Sequence, residues 1–164
     1  MTELPGTRPS ILFICTANIC RSPMAAGIFK KLLESREMNW REWKVESAGT
    51  WTTRGNPAAQ KAIVVMADRG IDIRNHISRP ITHLPLERYR LILTMEAGQK
   101  EAIRVEFPQV ALRTYLLSEI IGETRDIADP IGGTIQDFVK TADDLEHVLD
   151  SGFSKICKLA APEK

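Results

Sequence analysis

Ile11-Leu12-Phe13-Ile14-Cys15-Thr16-Ala17-Asn18-Ile19-Cys20-Arg21-Ser22-Pro23 joins an unbroken apolar run, a loop bounded by cysteine and arginine, and a helix-start pair. Apolar at every position, residues 11–14 read as a parallel strand covered on both faces. Pro23 at a first helical position, with Met24, Ile28, Phe29, Leu32 and Leu33 at helical spacing, predicts a helix directly after the loop. A buried strand that turns into a helix through a short loop aims the loop's N–H groups and the positive end of the helix dipole at one small volume, where an anion binds. Cys15 stands at the mouth of that volume, and the same donors stabilise a thiolate there. Arg21 offers a planar fork that matches two phosphate oxygens at once, as a phosphoryl group with charge on its equatorial oxygens requires. A buried cysteine in an ordinary turn would also satisfy the Cys15–Arg21 spacing alone. The strand before it, Ser22-Pro23 after it and Asp129-Pro130 far downstream favour the phosphate site.

Outward from this stretch the chain alternates strands and helices, without a linker, repeat or low-complexity segment. Trp43-Lys44-Val45-Glu46 alternates as an edge strand does and leads into a Ser47-Ala48-Gly49 turn. Asn56-Pro57 is a cap-and-start pair for a helix that Gly70 stops. Leu91-Ile92-Leu93 is a third, buried strand with residues 96–105 as its return helix, and residues 112–116 form a fourth strand. The last helix takes Thr134 as its cap and carries a core stripe from Ile135 through Leu145 and Leu149 to Ile156. This order implies a parallel sheet with right-handed crossovers and a ligand site beyond the C-terminal strand ends, where Cys15 lies.

At 164 residues, 43% hydrophobic and 26% charged, the chain suits one domain with a core that needs no staples. A formal net charge of +1 argues against a general nucleic-acid or membrane-surface binder, so any anion selectivity is local. Three cysteines form no disulfide framework, and no charged-then-apolar leader opens the chain, which together point to a reducing cytoplasm. Residues 1–10, with Pro5, Gly6 and Pro9, read as a flexible tail, and no apolar stretch is long enough to insert in a membrane.

The run from Cys15 to Pro23, with Met24-Ala25 after it, resembles the signature of the low-molecular-weight protein tyrosine phosphatases. Ser47-Ala48-Gly49-Thr50-Trp51, His76-Ile77-Ser78-Arg79, Leu93-Thr94-Met95 and Asp129-Pro130 resemble further landmarks of that family, in its order and over nearly the whole chain. The resemblance implies an α/β, three-layer sandwich with a four-stranded parallel sheet and helices on both faces, in a single phosphatase domain over residues 11–164. Two positions depart from the pattern. Ala17 stands where the loop usually has glycine, and Ile131-Gly132-Gly133 follows Asp129-Pro130 where many members carry one or two aromatic residues.

What the resemblance implies is a phosphotyrosine monoester hydrolase that needs no cofactor or metal. Cys15 is the expected nucleophile, Arg21 the phosphate clamp, and Asp129 the acid that protonates the leaving oxygen, with Asp126 and Asp137 as rival acids. The backbone of Thr16, Ala17, Asn18, Ile19 and Cys20 is expected to bind the phosphoryl oxygens. Asn18 would prop the loop and Ser22 donate its hydroxyl to the thiolate, with Ser47 and His76 in the same network. Trp51 is a pocket wall or a core residue, and Ile131 takes the place of the usual aromatic wall. Cys20 is either a resolving thiol for an oxidised Cys15 or a packing residue. The expected partner is a phosphotyrosine-bearing protein; the sequence leaves the oligomeric state open, with a monomer favoured. Other activities on the same fold are a protein arginine phosphatase, whose loop carries threonine where Ile19 stands, and a thioredoxin-coupled arsenate reductase. The latter needs two further cysteines close together, and only Cys157 remains. A cysteine phosphocarrier module would need neither Arg21 nor Asp129.

Overall fold

The computed structural model describes residues 5–36 and 39–162. Strand β1 (Ser10–Cys15) runs into helix α1 (Arg21–Arg36), followed by β2 (Lys44–Gly49) and α2 (Gln60–Ala67). Then come β3 (Leu91–Thr94), α3 (Ala97–Glu106), β4 (Thr114–Leu116), α4 (Ile135–Ser151) and α5 (Phe153–Ala160). The sheet order is β2-β1-β3-β4, every pair parallel, with Ile14 opposite both Ala48 and Thr94. β1 therefore lies between two strands, and its six residues are all buried, as the continuous apolar run predicts.

Alternation along β1 divides the core in two. Ile11 and Phe13 pack with Met24 and Phe29 of α1 and Leu145 of α4, while Leu12 and Ile14 pack with Ile92, Ile103 and Val110 on the other face. Phe29 gathers the first layer: its ring meets Phe13 at 5.9 Å, Trp43 at 5.7 Å and Phe153 at 5.6 Å. The first two pairs are edge-on and the third is tilted; edge-on aromatic pairs add about 0.5–1.5 kcal/mol each beyond the area they bury.

The elements differ from the sequence reading in five places. Ser47-Ala48-Gly49 is the end of β2, not a turn, because Cys15 pairs with Gly49 and the edge strand must run as far as its neighbour. Asn56-Pro57 does not start a helix: the Asn56 N–H donates to Ser78 Oγ, Pro57 bridges to Ile77, and α2 begins only at Gln60. Residues 108–113 form a 3-10 turn that leaves Leu112 exposed, so the fourth strand shrinks to three residues. The last helix breaks at Gly152, where a Cβ would lie 2.5 Å from Ile120, and the break turns Phe153 onto Phe29. At the N-terminus β1 already includes Ser10, and the Lys44 N–H donates to the Pro9 carbonyl at 2.9 Å. Residues 1–4 of the expected tail lie outside the described residues.

Gly49 seats the loop that follows β1. A Cβ there would stand 2.5 Å from the Thr16 carbonyl oxygen and 3.2 Å from Asn18 Cβ. Gly49→Ala is expected to cost about 1–3 kcal/mol of stability, because the obstacle is backbone that cannot swing aside. Urea unfolding reads the loss, and an unchanged midpoint would show that the loop gives way freely.

Candidate active site

Residues 15–22 close a loop between the C-terminal end of β1 and the first turn of α1. The loop's carbonyls are held from outside. Cys15 O accepts from Thr50 N at 2.9 Å, Thr16 O from Trp51 N at 3.0 Å, Ile19 O from Ala59 N at 2.8 Å and Cys20 O from Met24 N at 3.1 Å. Asn18 O receives the His76 Nε2–H at 2.6 Å. Because C=O and N–H point opposite ways across a peptide plane, carbonyls drawn outward turn the following amides inward. The result is a concave set of donors at the helix N-terminus, suited to the oxygens of a phosphoryl group.

Asn18 holds this shape. It is fully buried and is the one non-glycine residue with positive φ, at 59°, among the described residues. Asparagine tolerates that left-handed backbone better than most side chains. Ala17, where glycine is usual, needs no such conformation. The Asn18 side-chain amide donates to Ser22 Oγ at 2.8 Å and Ser47 Oγ at 2.9 Å, and its oxygen accepts the Arg79 N–H at 2.9 Å. Ser22 already accepts from Asn18, so its own hydroxyl hydrogen is free to donate to Cys15 Sγ, 2.9 Å away. The Asn18 N–H reaches the same sulfur at 3.3 Å. Cys15 is thus a buried sulfur facing two hydrogen-bond donors.

Arg21 is 2% exposed, and a buried guanidinium requires partners. Its Nη1 donates to the Ile127 carbonyl at 2.8 Å, and its Nη2 lies 2.7 Å from Glu96 and 3.4 Å from Asp129. Its Nε–H has no protein partner among the described residues and remains available to an anion. Glu96 was missed by the sequence reading, which saw only the start of a helix there. It caps α3, and Gln99, three residues on, donates to both Glu96 and Thr16 Oγ1 at 3.0 Å, tying the cap to the loop after β1. The capping-box spacing Glu96-x-x-Gln99 was visible in the sequence. Its proximity to Arg21 was not.

Asp129 is exposed, with one oxygen accepting the Ile131 N–H at 3.1 Å and the other turned to Arg21. The rival acids are engaged elsewhere. Asp126 accepts the Ala97 N–H at 2.8 Å at the start of α3. Asp137 accepts from the Thr134 backbone at 2.8 Å in a capping box, and these bonds hold its carboxyl below the usual range. Trp51 is 84% exposed, which removes the core reading and leaves it on the rim, its N–H fastened to the loop carbonyl of Thr16. Ile131 is 53% exposed beside Asp129, while Ile19 is half-buried and packs on the core. Burial, and then the charges of Asp129 and Cys15, push the Cys20 thiol up to about 12, so it is protonated at neutral pH. His76 is half-buried, and desolvation lowers its pKa, so the neutral ring with hydrogen on Nε2 is favoured.

A parallel α/β sheet whose central strand ends in a cysteine–arginine anion loop defines a phosphate-handling protein of the cysteine type. Comparison with known proteins places it further. The model of the family described as low molecular weight phosphotyrosine protein phosphatase matches residues 10–159, and the chain belongs to that family of hydrolytic phosphatases. It is 34% identical over 140 residues to a protein-arginine-phosphatase of Bacillus subtilis (strain 168), covering 85% of this chain and 91% of the relative. It is 33% identical over 147 residues to the probable low molecular weight protein-tyrosine-phosphatase EpsP of Ralstonia nicotianae, covering 90% and 95%. The crystal structure of a low molecular weight protein tyrosine phosphatase from T. tengcongensis superposes with a TM-score of 0.83 at 32% identity, covering 89% of this chain and 98% of that one. Among the described residues no helix is long and apolar enough to cross a membrane.

Proposed function

We propose that the protein hydrolyses phosphotyrosine monoesters on proteins through a phosphocysteine intermediate. The observation that carries this reading is the Cys15 sulfur held by Ser22 Oγ and the Asn18 N–H at the floor of the amide loop, with Arg21 fixed beside it. Cys15 attacks phosphorus in line, the P–O bond breaks, and its electron pair leaves on the phenolic oxygen, which Asp129 protonates. A water then gives its proton to Asp129 and attacks phosphorus. The S–P bond breaks and the thiolate returns to its donors. Arg21 and the loop amides bind the equatorial oxygens throughout. The reactants are a phosphoprotein and water, met in the cytoplasm.

A second reading, removal of phosphate from arginine, is supported by relatives named protein-arginine-phosphatase. Ile19 argues against it, since a β-branched apolar side chain offers a guanidinium no hydroxyl and narrows the pocket toward a flat ring. The arsenate reductase reading lacks its two further cysteines close together, since only Cys157 of α5 remains, and the phosphocarrier reading accounts for neither Arg21 nor Asp129. kcat/KM on phosphotyrosine, phosphoarginine and phosphoserine peptides tests the assignment. Phosphotyrosine is expected to be preferred, and faster phosphoarginine cleavage would overturn it. Ile131→Tyr is expected to lower KM for aryl phosphates by restoring a stacking face, and an unchanged KM would take Ile131 out of the pocket.

Cys20 is proposed as the resolving thiol. Peroxide converts the Cys15 thiolate to a sulfenic acid, Cys20 sulfur attacks it, the S–S bond forms and water leaves. Because the Cys20 thiol must first lose a proton it holds tightly, ring closure is expected to quicken as pH rises. After mild peroxide, dithiothreitol is expected to restore wild-type activity but not that of Cys20→Ala. Equal recovery would make Cys20 a packing residue.

A further inference from the structure

A cavity of about 540 Å³ lies behind the catalytic loop, between α1, the edge strand β2 and residues 72–79, and no residue of 15–22 or 128–131 lines it. Its charge is unbalanced. The acids on its walls are already matched: Asp72 receives Arg74 through both carboxylate oxygens at 3.0 and 2.9 Å, and Glu46 receives Arg79 at 2.8 Å and the Tyr89 hydroxyl at 2.6 Å. Lys30 of α1 and Arg54 also line it, and neither has a hydrogen-bond or ion-pair partner among the described residues. Between them the walls are apolar, formed by Ala26, Val45, Ile73 and Ile77. Two unmatched cations over a low-dielectric surface concentrate anions.

The same cavity is joined to the catalytic loop by hydrogen bonds. Ser47, His76 and Arg79 all line it, and all three bind Asn18, the residue whose N–H meets Cys15. A carbonyl only accepts, so the bond from His76 to Asn18 O places a hydrogen on Nε2. Lys30 and Arg79 both disfavour the protonated ring. A negative charge between the cations offsets that repulsion and strengthens the His76 donor to Asn18.

We propose that this cavity is a second site, distinct from the phosphate loop, that binds a small organic dianion of the dicarboxylate class carried on an apolar body, and that occupancy is transmitted to Asn18 through His76. A phosphomonoester would be consumed at Cys15, whereas a dicarboxylate offers no phosphorus to attack. By linkage, an anion that favours protonated His76 must bind more tightly as pH falls. Glu46 and Asp72 face the same space but stay paired with Arg79 and Arg74, and the other charged groups that face it are Lys30 and Arg54.

The test uses isophthalate, and benzene-1,3-disulfonate as a dianion whose charge does not change with pH, titrated into the whole protein with orthovanadate saturating the catalytic loop. Calorimetry is expected to show saturable binding in the millimolar range or tighter, stronger at pH 5.5 than at pH 8, with the His76 ring signals moving in NMR. The double variant Lys30→Ala/Arg54→Ala is expected to keep its basal kcat and lose binding at least tenfold. The proposal is overturned if neither probe binds, if vanadate displaces them, if the double variant binds as well as wild type, or if affinity and the His76 signals ignore pH and ligand. Because none of these readouts uses turnover, they stand apart from the phosphatase assignment.

Discussion

Cys15→Ser is expected to lower turnover of p-nitrophenyl phosphate by roughly 10⁴-fold or more, the scale seen when a covalent nucleophile is removed. A serine hydroxyl at that place is not ionised at neutral pH. The donors aimed at the sulfur, Ser22 Oγ and the Asn18 N–H, have no base beside them to take its proton. The anion nest itself survives, because its carbonyls are held by Thr50, Trp51, His76, Ala59 and Met24 and not by the cysteine side chain. Phosphate affinity, read by calorimetry, is therefore expected to stay near wild type while kcat collapses. Turnover close to wild type would remove Cys15 as the nucleophile. Phosphate binding lost together with turnover would show that the substitution had broken the loop and not the chemistry.

Asp129→Ala is expected to lower kcat/KM for phenyl phosphate by about 10²–10⁴-fold, the usual contribution of a positioned general acid. The loss on p-nitrophenyl phosphate should be much smaller, since its departing oxygen carries negative charge well without a proton. That contrast separates proton delivery from a structural role. Asp129 also sits 3.4 Å from Arg21, but Arg21 keeps Glu96 at 2.7 Å and the Ile127 carbonyl at 2.8 Å when Asp129 is gone. Equal losses on the two substrates would mean that Asp129 acts through Arg21 and is not the acid. Asp126 and Asp137 are not expected to substitute, because each is spent on the N-terminus of a helix.

Much of the fold was legible because its signals are local. The strand-loop-helix around Cys15 is specified within the run from Ile11 to Pro23, by an apolar stretch that only a doubly covered strand accommodates and by Pro23, which suits a helix only in its first turn. Thr134 announced α4 in the same way. The misread segments are those where a partner strand or a close contact decides the outcome. Gly49 looks like a turn residue until Cys15 pairs with it, and the continuous stripe of the last helix hides a break set by the approach of Gly152 to Ile120.

The sequence by itself singled out the residues proposed to carry the chemistry: a cysteine and an arginine at the two ends of one short loop, and an aspartate stiffened by the proline after it. These are residue types whose reactivity belongs to the side chain and whose placement follows from the nearest strand and helix. Only the tertiary structure decided what holds them. Asn18 meets Ser47 across 29 residues and His76 across 58, Thr16 meets Gln99 across 83, and Arg21 meets the Ile127 carbonyl across 106. Glu96 is an ordinary cap on its own helix and becomes the partner of a buried arginine only when β3 lies beside β1. Trp51, equally at home in a core or on a rim by composition, is placed outside because the backbone of its own residue is used to hold the loop. A side chain's chemistry is local, but the orientation and charge balance around it are sums over neighbours that sequence separation does not reveal.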